Sequence, residues 1–445
     1  MILITTKQEY NLFINKVKNN NNLLIIPTFT KHLISNYNNE LLFTYICLFN
    51  SKFNVIEEYI LNQTHYDILF KHNIDFIQHK NIFTLYKTKL KHHINKNNKL
   101  YDIQLLKYLF DVELFEINNY NKIFKQYYYK HEYNQIIPIT KHIETLYNKE
   151  LIDIVYKYKN EIDNNIYVYY NNLLDTLYDI EKQGIYINSN KFKKLHSNKL
   201  VNHTLYNNYI FSEYNLYTTT GRPSNRFGGI NFNALNKKTD RDWIVSRYQS
   251  EGKLIEFDYS GYHLSILAYF INYKFPEDVK NPHVYLGSQY FETTKLTEKQ
   301  YKQTKELNFK FLYGKIPKEV VKGIRFFNLV DKYITKIYNN YMKTGYVESP
   351  ISSRKISNIE TVTPNKVLNY LIQMVETELT ITNINKVIQL IKNKKIHIIL
   401  YTYDSILIDI HNNEFNIIDN IKEVLEDSKF KITIKQSDTN YAKLK

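Results

Sequence analysis

Leu254 to Phe270, LIEFDYSGYHLSILAYF, is the stretch whose reading decides the fold. The apolar pair Leu254-Ile255 leads through Glu256 and Phe257 to a carboxylate, Asp258; Gly261 follows, and Leu264 to Phe270 is a second apolar run. A short β-rich run, a glycine and then a longer apolar run predict strand, turn and helix. Asp258 therefore stands where a buried strand gives way to a helix. A carboxylate there is either a helix cap or a metal ligand on a rigid support. A second carboxylate lies far along the chain: Ile396 to Ile410 reads as two strands joined at Tyr403-Asp404-Ser405, which puts Asp404 at the tip of a hairpin. Both strands are apolar enough to be central in a sheet.

The chain has 445 residues, room for two or three domains, and its 43% apolar content is that of a globular protein. It has no apolar run of membrane-spanning length, and Met1 to Phe13 lacks the basic and apolar segments of a secretion signal, so a soluble cytoplasmic protein without membrane contact is expected. The single cysteine, Cys47, excludes an intramolecular disulfide and a multi-cysteine zinc site and fits a reducing compartment. A net charge of +15 points to a polyanionic partner such as nucleic acid. The abundance of Lys, Asn, Ile and Tyr (42 of the last) also fits AT-rich codons, which inflate lysine without selection for binding.

Along the chain, Ile2-Leu-Ile, Leu23-Leu-Ile-Ile-Pro and Leu41 to Phe49 read as strands and Tyr101 to Asp111 as a helix, an α/β pattern. Asn19 to Asn22 reads as a turn and Lys91 to Asn98 as a basic connector. Leu173, Leu174, Leu177 and Ile180 share a helix face that ends before Gly184 and a short strand, Ile185-Tyr-Ile. Lys191 to Leu216 is a polar and aromatic connection. Tyr217 to Asn233 is turn-rich and gathers Arg222, Arg226, Asn231 and Asn233, either a surface loop or a grip on a nucleic-acid backbone. A helical region follows from Tyr273 to Tyr346, in which Lys305, Phe309 and Tyr313 fall at i, i+4 and i+8 on one stripe, with Gly314 at the end. A second helix, Lys366 to about Leu379, carries Asn369 and Gln373 one turn apart.

Together these segments resemble the family A DNA polymerases, the bacterial DNA polymerase I type. Asp258-Tyr-Ser-Gly-Tyr-His-Leu-Ser is similar to the first palm motif DYSQIELR, Tyr301 to Gly314 to the fingers motif RxxxKxxxFGxxYG, and Tyr403-Asp404-Ser405 to the HDE hairpin. Thr220-Gly221-Arg222 matches TGR, Asn231 and Asn233 the NLQN after it, Asn281-Pro-His283 the DIH, Gly345-Tyr-Val the GYV, Asn369 with Gln373 the NxxxQ, and Glu181 to Ile187 the ExxGI that opens the polymerase domain. Each motif is short and weak alone, but nine stand in the family's order from Leu173 onward. The resemblance implies an α+β chain: a right-hand polymerase with palm, fingers and a much reduced thumb, preceded by an α/β ribonuclease-H-like domain of the 3′-5′ exonuclease type. The corresponding boundaries are 1–160 for a degenerate exonuclease-like domain, 161–216 for the leading helix and reduced thumb, 217–272 for the first part of the palm, 273–345 for the fingers and 346–445 for the second part of the palm.

The resemblance also implies template-directed addition of dNTPs to a primer 3′-hydroxyl on primer-template DNA with two Mg²⁺ ions. Phosphoryl transfer of this kind needs few carboxylates, because substrate oxygens and water complete the Mg²⁺ shells. Asp258 and Asp404, with the Tyr259 carbonyl, would hold the metals. Lys305 would hold the triphosphate and protonate the leaving group, with His283 assisting. Phe309 would pack on the incoming nucleotide and Tyr313 near the template base. Arg222 and Gln373 would contact minor-groove acceptors common to all base pairs, and Arg226, Asn231, Asn233, Asn369 and Tyr403 would line the DNA.

Departures from the pattern are specific. Tyr301 replaces the first fingers arginine, leaving Lys302 as the neighbouring phosphate contact, and Lys310 stands in place of a glycine. His263 replaces the acid that helps exclude ribonucleotides, which leaves open a polymerase with relaxed sugar selectivity, related to single-subunit RNA polymerases. The exonuclease strand's paired acids are missing, since Glu9 is the one acidic residue between Met1 and Asn39, so an inactive, structural first domain without proofreading is expected. The short thumb predicts low processivity without a processivity factor or helicase. A small, AT-rich polymerase suits a virus or organelle-like replicon, hence host cytoplasm. The alternative from another class is a catalytically inactive, polymerase-like DNA-binding factor; the retained trio Asp258, Lys305 and Asp404 argues against it.

Overall fold

The computed structural model describes residues 2–4, 6–29, 41–62, 80–85, 87–91, 98–111, 148–195, 207–225, 230–236 and 239–445. Arg226, most of the Lys91 to Asn98 connector and residues 196–206 of the expected thumb segment lie outside them. Two compact units result, the first drawn chiefly from residues up to Gly184 and the second chiefly from Tyr214 onward.

In the first unit, strands β1 (Ile2–Ile4), β2 (Asn22–Phe29), β3 (Leu41–Phe49), β4 (Val55–Asn62), β5 (Asn81–Thr84) and β6 (Lys99–Asp102) form one sheet in the order β1-β4-β3-β2-β5-β6. β3 runs antiparallel to β2 and β4, and the remaining pairings are parallel. Helix α1 (Lys7–Lys18) starts at a capping box in which Thr6 and Glu9 exchange side-chain to backbone bonds. Its buried Tyr10, Phe13 and Val17 recur at helical spacing and meet alternate residues of three strands: Leu23 and Ile25, Ile46 and Leu48, Tyr59 and Leu61. The helix expected over Tyr101 to Asp111 is shorter. Tyr101 and Asp102 finish β6, and Asp102 caps α3 (Ile103–Phe110) by accepting from the Leu105 amide, while its other oxygen accepts from the Lys87 amide at the start of α2 (Lys87–Lys91). Two further helices, α4 (Asn148–Tyr158) and α5 (Asn165–Glu181), follow in this unit; Asp175 of α5 pairs with Lys87 and Lys91.

The second unit is organised on an antiparallel sheet of β7 (Gly252–Tyr259), β8 (Ile396–Thr402), β9 (Ser405–His411) and β10 (Ile432–Ser437), ordered β8-β9-β7-β10. The strand, turn and helix read from Leu254 to Phe270 are present as β7 and α6 (Tyr262–Phe270). Asp258 belongs to the strand and is not the cap; Gly261 is, with φ +58°, and a Cβ there would lie 3.2 Å from Pro282. Helices α7 (Pro282–Tyr290), α8 (Glu298–Tyr313), α9 (Lys318–Gly323) and α10 (Arg325–Thr344) form the helical region expected before Tyr346. Gly287 of α7 lets α8 approach, since a Cβ at that position would stand 2.6 Å from Leu296 and closer still to Thr304. Helix α11 (Pro364–Leu390) is longer than the expected Lys366 to Leu379, because Thr380, Ile381, Asn383, Ile384 and Val387 continue its buried face. Helix α12 (Ile418–Glu426) precedes β10. Among the described residues no helix is long and apolar enough to cross a membrane.

Candidate active site

The sheet register brings the two carboxylates to one place. Asp258 faces Ser405 on β9 and Thr433 on β10, and the Tyr259 amide donates to the Asp404 carbonyl at 2.9 Å. Tyr403, with φ +60°, makes the tight turn that carries Asp404 between β8 and β9. The turn is exposed, yet protein crowding around the Asp404 carboxyl, then the charges of Asp258 and Glu376, push its pKa up to about 6. Lys435 of β10 places its ammonium 3.5 Å from both Asp258 and the buried Glu256. Tyr259 itself is locked: its hydroxyl donates to the Leu425 carbonyl, and its ring stacks on Tyr262 at 4.1 Å. Among the described residues no cluster of three His, Cys, Asp or Glu side chains forms a metal cage. Two carboxylates and a backbone carbonyl are nonetheless the sparse oxygen set that Mg²⁺ accepts when substrate and water oxygens supply the rest.

Helix α8 presents the expected stripe to solvent. Phe309 is 45% and Tyr313 37% exposed, their rings stacked at 5.7 Å and 14°; exposed, near-parallel rings are a platform for a planar base. The face that packs is instead Thr304, Asn308, Phe311 and Leu312. Lys305 is exposed, with its ammonium 4.9 Å from the Tyr301 ring centroid, and Tyr301 is held by the Asn281 amide. Lys302 pairs with Glu298 one turn back on a solvated face.

His283 is buried beside this stripe, its ring 5.9 Å from Phe309. Asn308, which the sequence reading did not single out, orients it. The Tyr290 hydroxyl donates to Asn308 Oδ1, so the Asn308 amide nitrogen faces His283 Nδ1, 2.8 Å away, and donates to it. Burial first, then the charges of Lys305 and His263, push the His283 pKa down to about 4. His283 is thus neutral at pH 7, with its proton on Nε2, a hydrogen-bond donor rather than a cation.

The turn-rich segment is anchored on the sheet. Tyr214 of a short ribbon (Tyr214–Asn215 with Ser224–Asn225) accepts from the Tyr401 amide at 2.7 Å. Arg354, also missed, donates to the Thr219 carbonyl, and Thr220 donates to Gln373, whose amide donates to Asn369. Asn231 is exposed, while Asn233 lies in a single 3-10 turn next to buried Phe232. Arg222 lies 3.8 Å above the Tyr403 ring and makes a two-point ion pair with Glu376 of α11. Glu376 also stands 3.2 Å from His263, whose other nitrogen bonds the Tyr313 hydroxyl. An acid therefore does stand beside residue 263, delivered by α11. The Val375-Glu376-Thr377-Glu378 run offered no local signal to find it.

No protein-family profile matches the chain, and no curated protein matches it. Its fold is similar to that of the POL domain of Pol1 from M. smegmatis in complex with DNA primer-template and dNTP, at a TM-score of 0.73 and 12% sequence identity, covering 99% of each chain.

Proposed function

We propose that the protein is a template-directed DNA polymerase that adds dNTPs to a primer 3′-hydroxyl. The observation that carries this reading is the convergence of Asp258, near the end of β7, and Asp404, in the adjoining turn between β8 and β9, in the unit that also exposes Lys305, Phe309 and Tyr313 along one helix stripe. Asp258 and Asp404, with the Tyr259 carbonyl, would hold two Mg²⁺. Bound there, the metal would lower the pKa of the primer hydroxyl and neutralise the departing pyrophosphate. In the transfer the primer 3′-oxygen bonds the α-phosphorus, the bond from that phosphorus to the oxygen bridging to the β-phosphorus breaks, and the 3′-hydroxyl proton passes to solvent water. Lys305 donates a proton to the leaving pyrophosphate and His283 Nε2–H hydrogen-bonds it. Phe309 and Tyr313 support the nascent base pair by stacking. Arg222, Asn231, Asn233, Asn369, Gln373 and Tyr403 line the DNA, with Lys302 as an outer phosphate contact; Arg226 is assigned to the same role from the sequence alone.

Primer extension by the wild type and by Asp404→Ala tests this, with dNTPs and rNTPs in parallel. Mg²⁺-dependent extension by the wild type alone is expected, with dNTPs preferred. Equal use of rNTPs would move the assignment to a polymerase of relaxed sugar choice, and DNA binding without extension by either protein would support the non-catalytic alternative.

The first unit is read as a structural relative of ribonuclease-H-like exonuclease domains. Its support is the sheet order β4-β3-β2-β5-β6, with β3 antiparallel, and the use of Asp102 to cap two backbone amides. Metal-dependent degradation of single-stranded DNA, abolished by mutations confined to this unit, would overturn that reading. The same reading goes with a cytoplasmic location, host cytoplasm for a viral source, and with a processivity factor or helicase as partner.

A further inference from the structure

Glu376 is 1% exposed, so its carboxylate lies wholly inside the protein. An interior carboxylate is costly unless well paired, and for stability alone an apolar side chain of similar size serves as well. Its partners come from two separate segments. Arg222 approaches with Nε 3.0 Å from Oε2 and donates from Nη2 to Oε1 at 3.1 Å; His263 of α6 places Nε2 3.2 Å from Oε2. Burial pushes the Glu376 pKa up, but His263 and then Arg222 outweigh it and hold the carboxyl below the usual range, so it stays charged.

Both partners lead outward to functional surface. His263 Nδ1 bonds the Tyr313 hydroxyl, and Tyr313, the last residue of α8, is stacked on Phe309. Arg222 covers the ring of Tyr403, the residue before Asp404. One interior charge thus connects, through single side chains, the exposed ring pair of α8 and the hairpin turn of the sheet. Tyr313 is 37% exposed, its ring meets Phe309 and His263, and its hydroxyl adds a directional bond to His263 that sets its orientation.

We propose that Glu376 is a positioning residue for the incoming nucleotide, acting through His263 to fix Tyr313 and the ring pair it forms with Phe309. This rests on the polymerase reading above. Small displacements of a positioning group are felt strongly in catalysis, so removing the charge while keeping the shape, Glu376→Gln, should raise KM for dNTP by about tenfold. The Kd for primer-template should stay within about twofold, and kcat should fall less than KM rises.

The test is a double-mutant cycle on KM for dNTP with Glu376→Gln, His263→Ala and the pair, alongside Tyr313→Phe, which keeps the ring and removes the hydroxyl. If Glu376 acts through His263, the pair should be no worse than the poorer single variant, and Tyr313→Phe should reproduce part of the rise. Effects of Glu376→Gln and His263→Ala that multiply independently, or a Glu376→Gln protein with lowered thermal stability and kcat but unchanged KM, would overturn the proposal while leaving the polymerase reading intact. His263→Ala and Tyr313→Phe keep the test decisive if Glu376→Gln folds poorly, because unchanged KM in both also overturns it. A wild type that extends no primer would instead remove the polymerase reading, and this proposal with it.

Discussion

At the scale of single residues, the strongest consequence concerns Asp404. Its pKa is pushed up to about 6 in the folded protein, against about 4 in an unfolded chain. Between those values the folded state binds the proton more tightly, so stability falls as pH rises through the window, and the whole penalty is present above about 6. After allowance for solvent screening at the exposed turn this is about 1 kcal/mol. Asp404→Asn should therefore be more thermally stable than the metal-free wild type at neutral pH, and the gain should vanish below about pH 4. Urea titrations at both pH values would check it; destabilisation at neutral pH would contradict the crowding of the two carboxylates. Asp258, Asp404 and Lys305 were legible in the sequence because each stands at a junction where the hydrophobic pattern changes or along a recognisable stripe. Glu376, Asn308 and Arg354 were not, because each is a polar residue whose meaning depends on a partner from a distant segment: Arg222 and His263, His283, and Thr219.

Among the secondary-structure elements, α8 is where periodicity informed and misled at once. The stripe of Lys305, Phe309 and Tyr313 was visible as spacing, but an aromatic stripe ordinarily packs, and here the packed face includes the polar Thr304 and Asn308. What decides is the neighbour. Gly287 lets the Thr304 side chain of α8 pack close, and Asn365 binds the carbonyls of Phe311 and Leu312 at the far end. Gly287→Ala should force α7 and α8 apart at a cost of about 1–3 kcal/mol. A lowered thermal midpoint together with a raised KM for dNTP is expected, since α8 carries the stacking rings; a variant as stable as wild type would show that the contact yields easily. The extension of α11 beyond Leu379 was hidden for a related reason. Its Thr- and Asn-containing run has weak helix propensity and is kept helical by tertiary packing.

For the molecule as a whole, the +15 charge predicts that affinity for primer-template falls about a hundredfold or more between about 50 and about 200 mM salt. Fluorescence-anisotropy titrations would measure it, and a flat response would mean that the lysines reflect codon bias alone. The α+β class and the carboxylate-bearing sheet were readable because both carboxylates stand where apolar strand-like runs break off. The sheet of the first unit was readable only in part, since β4, β5 and β6 gave no separate strand signals and Asp102 was read as part of a helix. One property of the four-stranded sheet reaches beyond equilibrium. Strand β7, bearing Asp258, lies between β9 and β10, both of which follow it by well over a hundred residues. While the chain is still on the ribosome, β7 has neither neighbour, and its two edges wait unpaired until residues 405–437 emerge. The assembly of this centre is thus a late, slow, long-range event in biosynthesis, and the nascent polypeptide must keep a central apolar strand from pairing wrongly until its partners have been translated.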